Sequence, residues 1–466
     1  MKKRSNRQPL GPKGIGRIYL AALIAALYGF DLEAQTLNLA PRRVVNITID
    51  QLRTDYLEHF APLYGQEGFR RLLGEGRVYE AVDYPFSPVD RASAIACIAT
   101  GTTPQYNKVM AQQWLDRKTL RPEHCVSDPK NTASPIHMAS STIGDELKVS
   151  TNGRALVFGI AQAKDAAILS AGHAADGAFW IDEYTTAWTT SAYYPATAHT
   201  WARAYNATAT TSRHELVNDI VASATLGCIT DNAVGRDDIT DYIAVTLSAR
   251  LGTQMGLRSE MEGVYTSLDK TLARLISGIE ERVGRDQVLF VMTATGDTDE
   301  PEVDYAKYRI PTGTFYINRT AQLLNMYLVA IYGSGTWVEG YYKNQIYLNH
   351  KLIENQKSSY SEIIQRSKDL LMMTSGVASV STSPYDTAIS GDLWVEVRPG
   401  WNIVNEDDNT SYRHRTAFVP FPIVFLGNNV RPGHIDTPVT PDCIAPTISK
   451  AIHIRAPNAC KAKPLF

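Results

Sequence analysis

The sequence predicts an α/β protein built on a mostly parallel sheet flanked by helices, and three observations predict it. Five runs, at residues 44–49, 155–162, 241–249, 287–295 and 421–427, are rich in Val, Ile, Leu and Phe. They are continuously apolar rather than alternating, as strands buried on both faces are. Residues 260–284, between the third and fourth runs, repeat their apolar positions at helical spacing and end on Gly284. Strand, long helix, strand reads as a crossover unit of parallel strands. Finally, Asp50 closes the first run. A carboxylate at the C-terminal end of such a strand faces the crevice where open α/β sheets bind ligands.

In chain order, "MKKRSNRQPLGPKGIGR" carries six Lys and Arg, "IYLAALIAALYGF" is a short apolar run, and Ala34 offers a small residue for cleavage. Basic, apolar and small in that order predicts a secretory signal peptide over 1–34, with a run too short for a comfortable transmembrane span. Its removal takes away six basic and two acidic residues and leaves 40 against 46, a net charge of −6. The expected mature protein, 35–466, is mildly acidic, exported to the periplasm or envelope, and without the basic surface a nucleic acid would need. Residues 52–64 and 92–101 read as helices, the second made of small residues. Residues 174–235, with "FWIDEYTTAWTTSAYY", read as a cap inserted over the sheet, and residues 310–400 as a smaller antiparallel subdomain with helices. None of the five cysteines, Cys97, Cys125, Cys228, Cys443 and Cys460, forms a C-x-x-C pair, which removes zinc-ribbon and thioredoxin readings. Export and a short connecting segment make Cys443–Cys460 the expected disulfide, with Cys125–Cys228 a weaker pairing.

Asp50-Gln-Leu-Arg53, the Thr100-Gly-x-x-Pro104 segment, "AAILSAGHAADGAFWID" at 166–182, Leu268-Asp-Lys270 and "APTISKAIHIRAPNACKAKPL" at 445–465 together resemble the alkaline phosphatase superfamily. The resemblance covers nearly the whole mature chain. Its nearest branch is the bacterial periplasmic phosphate-irrepressible alkaline phosphatases and type I phosphodiesterases/nucleotide pyrophosphatases. It implies an alkaline-phosphatase-like fold and a centre of two zinc ions, held by three Asp and three His, that activates a Thr or Ser nucleophile. Of those positions only the first Asp, Asp50, is kept. The nucleophile position falls on Arg91, a permanent cation that cannot attack phosphorus, with Ser93 one helical step away. The Asp-x-x-x-His pair falls on Ala249 and Thr253, the Asp-His pair on Thr295 and Gly296, and the last His near Ser411. The substrate-contacting Asn falls on Gln112 or Gln113, and the phosphate-gripping Lys and Arg near Ala163 and Asp165, the latter a repulsive group for phosphate.

The leading expectation is therefore a catalytically inactive exported member of the superfamily. It would carry no metal cofactor and act as a scaffold or binding subunit among other envelope proteins. An Arg91–Asp50 ion pair is expected to replace the metals electrostatically. One alternative is a phosphoesterase rebuilt around Asp50 with Asp297 or Asp299, near Glu300, with His414 and His434 flanking the last strand. Another is a carbohydrate- or phospholipid-binding protein using the aromatic run 179–201. Asp55 and His59 share a helical face but read as a surface pair.

Overall fold

Every residue of Arg43–Asp50 is buried, and this strand lies in the middle of a nine-stranded sheet. In the computed structural model it pairs in parallel with Asp241–Ser248 on one side and Val288–Ala294 on the other. Val157–Ala161 and Gly177–Ile181 extend the parallel set beyond Asp241–Ser248. The far side turns antiparallel: Phe421–Gly427 pairs with Val288–Ala294, and Arg77–Val82 with Phe421–Gly427. The structure describes residues 40–466 except 209–216, 251–257, 299–304, 413–417 and 428. The expected signal peptide, Thr253, Asp299, Glu300 and His414 lie outside the described residues. Among the described residues, no helix is long and apolar enough to cross a membrane.

The parallel strands are apolar on both faces because helices cover both. Arg258–Val283 is the long crossover helix, and it stops where Gly284 takes a φ of 95°, a conformation that costs a side-chain-bearing residue. Arg91–Thr100 ends likewise on Gly101, at φ 64°. A Cβ at Gly101 would come within 2.8 Å of the Cys460 sulfur, so glycine also permits the C-terminal segment to pack there.

The 174–235 stretch is not a cap. Gly177–Ile181 is a strand of the central sheet, Trp188–Thr189 closes that edge, and Val217–Asp231 packs beside the long crossover helix. Its aromatic residues turn inward: Trp180, Trp188, Tyr194 and Trp201 are buried, and Phe179 packs tilted against Trp201 with ring centres 4.4 Å apart. Tyr184 is the exception, 95% exposed in a turn, and a lone exposed ring is not a binding platform for sugars or lipids.

The outer unit has an apolar core of its own, including Leu324, Leu328, Trp337, Ile346, Ile363, Val395 and Ile403. Four antiparallel strands, Val338–Tyr342, Gln345–Leu348, Leu393–Val397 and Val377–Thr382, lie beside the helices Ile317–Tyr332 and Tyr360–Met372. A further small sheet runs past residue 400, pairing Gly313–Tyr316 with Trp401–Asn405 and Thr410–Tyr412. The unit thus extends beyond the expected 310–400 span because its last hairpin closes on its first strand.

Candidate functional site: a closed arginine–aspartate cluster

Asp50 ends the central strand, and two helices from other parts of the sheet bring side chains to it. Arg91 is the first residue of the helix Arg91–Thr100, and Asp165 lies in the first turn of the helix Lys164–Ala171. The Arg91 helix is fixed by a capping box. Asp90 accepts from the Ser93 backbone N–H at 3.0 Å, and Ser93 Oγ accepts the Asp90 N–H at 2.9 Å. The Ser93 hydroxyl also donates to the Asp90 carbonyl and has no exposed surface, so it cannot substitute for the missing nucleophile.

The Arg91 guanidinium closes on two carboxylates. Its Nε and Nη2 donate to Asp165 Oδ2 and Oδ1, both at 3.0 Å, in a bidentate fork, while Nη1 lies 3.5 Å from Asp50 Oδ2. Gln112 Nε2 donates to Asp165 Oδ2 at 3.1 Å, and the Gln112 N–H donates to Asp90 Oδ2 at 2.7 Å. The main partner of Arg91 is therefore Asp165, and Asp50 is secondary. Asp165 is not a bare repulsive group here but the ligand of the arginine.

The electrostatics follow this geometry. Burial works against the Asp165 anion, but the Arg91 guanidinium and Gln112 outweigh it and hold the carboxyl below its usual range. At Asp50 burial wins and pushes the carboxyl up, against Arg91 at longer range and the Thr295 hydroxyl, which donates to Asp50 Oδ1 at 2.9 Å. Burial also works against the Arg91 cation, yet the Asp165 and Asp50 charges raise its pKa above the ordinary arginine value.

The other expected positions among the described residues can be placed as well. Thr295 is spent on Asp50 and the Gln51 N–H, and Ala249 offers only a backbone N–H, to the Asp50 carbonyl. Gly296, at φ 65°, packs where a Cβ would meet Phe421 and Tyr84. Ser411 is exposed on the outer unit, paired with Val404. Asp297 accepts the Thr298 N–H next to it, and His434 pairs with Glu80 on the far edge of the sheet. Asp55 holds Arg53. Among the described residues, no three His, Cys, Asp or Glu side chains are grouped to hold a metal ion, so these residues do not fit a two-zinc centre. Ala and Gly have no ligand atoms to offer, and the retained Asp50 already accepts from Thr295.

All five cysteines are thiols, which corrects both disulfide expectations. Cys443 Sγ faces Thr440 and Cys460 Sγ faces the Ala462 carbonyl, while Cys125 and Cys228 are buried beside His124 and Asn232. Burial raises the pKa of every one of these thiols, which disfavours the thiolate form.

Sequence reasoning missed the Asp165 fork and the Gln112 link. The signal that could have found them is the exchange of charge: a cation where a hydroxyl is expected, and an anion where a cation is expected, on two elements that meet.

The family described as type I phosphodiesterase / nucleotide pyrophosphatase matches residues 44–418. Alkaline phosphatase PafA of Elizabethkingia meningoseptica is 24% identical, over 93% of this chain and 96% of its own length. Alkaline phosphatase PhoV of Synechococcus elongatus is 26% identical, over 91% and 92%. The crystal structure of PafA superposes with a TM-score of 0.78 at 22% identity, covering 91% of this chain and 98% of PafA. Murine ectonucleotide pyrophosphatase / phosphodiesterase 5 gives 0.55 at 12% identity, covering 89% and 95%. These matches overturn the expectation that no metal cofactor applies. They place the chain, end to end, beside alkaline phosphatases, the kind of enzyme for which the resemblance implies two zinc ions. Fold, order of elements and sequence agree, and the chain belongs to the type I phosphodiesterase/nucleotide pyrophosphatase family, within the alkaline phosphatase superfamily.

Proposed function

We propose that this protein is an exported, non-hydrolytic member of its family that serves as a scaffold or binding subunit among other envelope proteins. The observation that carries the reading is Arg91, at the nucleophile position, with its guanidinium fork closed on Asp165. A guanidinium stays protonated at any physiological pH and offers no lone pair to phosphorus. Of the hydroxyls nearby, Ser93 holds the helix cap and Thr295 is engaged by Asp50 and the Gln51 N–H. Asp50, Asp90 and Asp165 surround the Arg91 guanidinium, so this cluster opposes a phosphate dianion rather than attracting it. Hydrolysis in this fold depends on stabilising developing oxyanion charge, and here anionic groups lie where that charge would form.

The test is an assay of the purified full chain on aryl phosphate mono- and diesters with zinc, magnesium and manganese supplied. Expected is turnover no greater than a protein-free blank, with envelope proteins co-purifying from native membranes. Turnover abolished by Asp50→Ala would overturn the reading in favour of a rebuilt phosphoesterase site.

A further inference from the structure

A second half-buried arginine, Arg117, ties the outer unit to a hairpin beside the cluster. The strands Gln113–Asp116 and Arg121–His124 form a hairpin whose base is the Gln113–His124 pair, next to Gln112 and Asp165. Its tip is a tight turn: the Leu120 N–H donates to the Asp116 carbonyl at 2.7 Å, and the Asp116 carboxylate accepts from the Lys118 N–H and the Thr119 hydroxyl. This turn sends Arg117 into the outer unit, where every donor of its guanidinium is used. Nε donates to the Thr387 carbonyl, Nη1 to Glu339 and the Leu348 carbonyl, and Nη2 to the Ser390 carbonyl and Asp392. The guanidinium also lies over the Tyr347 ring, 5.1 Å from its centre. Asp392 has no exposed side-chain surface and accepts three more hydrogen bonds, from the Leu348 N–H, His350 Nε2 and the Tyr360 hydroxyl.

The same outer unit also touches the base of the hairpin. The Tyr342 hydroxyl donates to Gln113 Oε1 at 3.1 Å, and burial together with the nearby Asp90 charge raises the pKa of Tyr342, Tyr385 and Tyr412. The outer unit keeps an apolar core of its own, while its Tyr385 and Trp394 pack into the central core, so the polar contacts of Arg117 share this connection with two buried rings.

We propose that the 113–124 hairpin is a strap that locks the outer unit down over the Arg91–Asp165 cluster, with Arg117 as its pin. Release of Arg117 would free the outer strands and, through the hairpin base, open the cluster to solvent. The strap rests on geometry alone and stands whether or not the protein hydrolyses phosphate esters.

The experiment is amide hydrogen exchange on the full chain with Arg117→Met, which keeps the stem and removes every donor. Peptides covering 110–124, 338–348 and 387–395 are expected to exchange roughly tenfold faster or more, while 43–50 and 288–294 keep their protection. Unchanged protection at the three segments would overturn the proposal. So would equal loss throughout, because Arg117 would then belong to one cooperative core. Arg117→Lys, which retains charge and three donors, should give the same pattern at smaller amplitude. If Arg117→Met fails to fold, this variant decides: a confined loss supports the strap, and uniform loss or failure to fold overturns it.

Discussion

Arg91 and Arg117 are both half-buried arginines facing carboxylates, and they are held very differently. Arg117 has mixed partners: two carboxylates, three carbonyls and an aromatic face. Its buried partner Asp392 gains enough from His350 and Arg117 to overcome burial, and its pKa falls below the usual carboxylate range. Arg91 faces only carboxylates, two of them deeply buried, and cannot satisfy both: Asp165 is held low while Asp50 is pushed up. A structural arginine of the first kind is balanced on every side. The second kind is unevenly matched: one guanidinium faces two buried anions and satisfies only Asp165 in full.

The sharpest way to break this comparison is at Asp392, which accepts four hydrogen bonds. Asp392→Ala strands the Arg117 guanidinium and should cost about 3–5 kcal/mol of stability in a urea titration. A loss under about 1 kcal/mol would show that the contacts around Arg117 are not energetically tight.

Next in size is Arg91→Thr, which places a hydroxyl at the nucleophile position but leaves Asp165 and Asp50 unpaired. Because Arg91 is about one-fifth exposed, the expected cost is about 3 kcal/mol, at the low end for a broken buried pair. No hydrolysis of aryl phosphates should appear. Activity gained from this one change would mean that the remaining residues still form a working site.

The smallest effect is expected at Asp50. Since burial raises its pKa, the folded state binds this proton more tightly than the unfolded chain does. Asp50 therefore stabilises the fold at low pH, and that contribution is lost as pH rises from about 4 through the raised value. Asp50→Asn should leave stability at neutral pH within about 1 kcal/mol of the parent and flatten the fall in this window. A large neutral-pH loss would make Asp50 an equal partner of Arg91. Asp165 and Asp392, held low, give the opposite slope: their contribution is lost as pH falls below about 4.

Much of the frame was legible from residue order. Val44, Val45, Ile47 and Ile49 could only be a strand buried on both faces, and Gly284 ended the long helix where a left-handed backbone was needed. The aromatic run was misread because composition does not say which way a ring points. Trp180, Trp188 and Trp201 fill the sheet edge rather than present a surface.

Residue chemistry alone also determined that Ala249 and Gly296, where the resemblance expects metal ligands, have no side-chain ligand atom of their own. The partner of Arg91 was decided only by the tertiary structure. Its flexible stem could have brought the guanidinium to Asp50, at the strand end, or to Asp165, 74 residues along the chain. The helix starting at Arg91 meets the first turn of the helix carrying Asp165, so the bidentate fork forms there and the contact with Asp50 stays at 3.5 Å. Arg117 was decided in the same way. Nothing in "DRKTL" tells that arginine from a solvated turn residue, because its five acceptors lie more than 220 residues away and come together only when the outer unit folds.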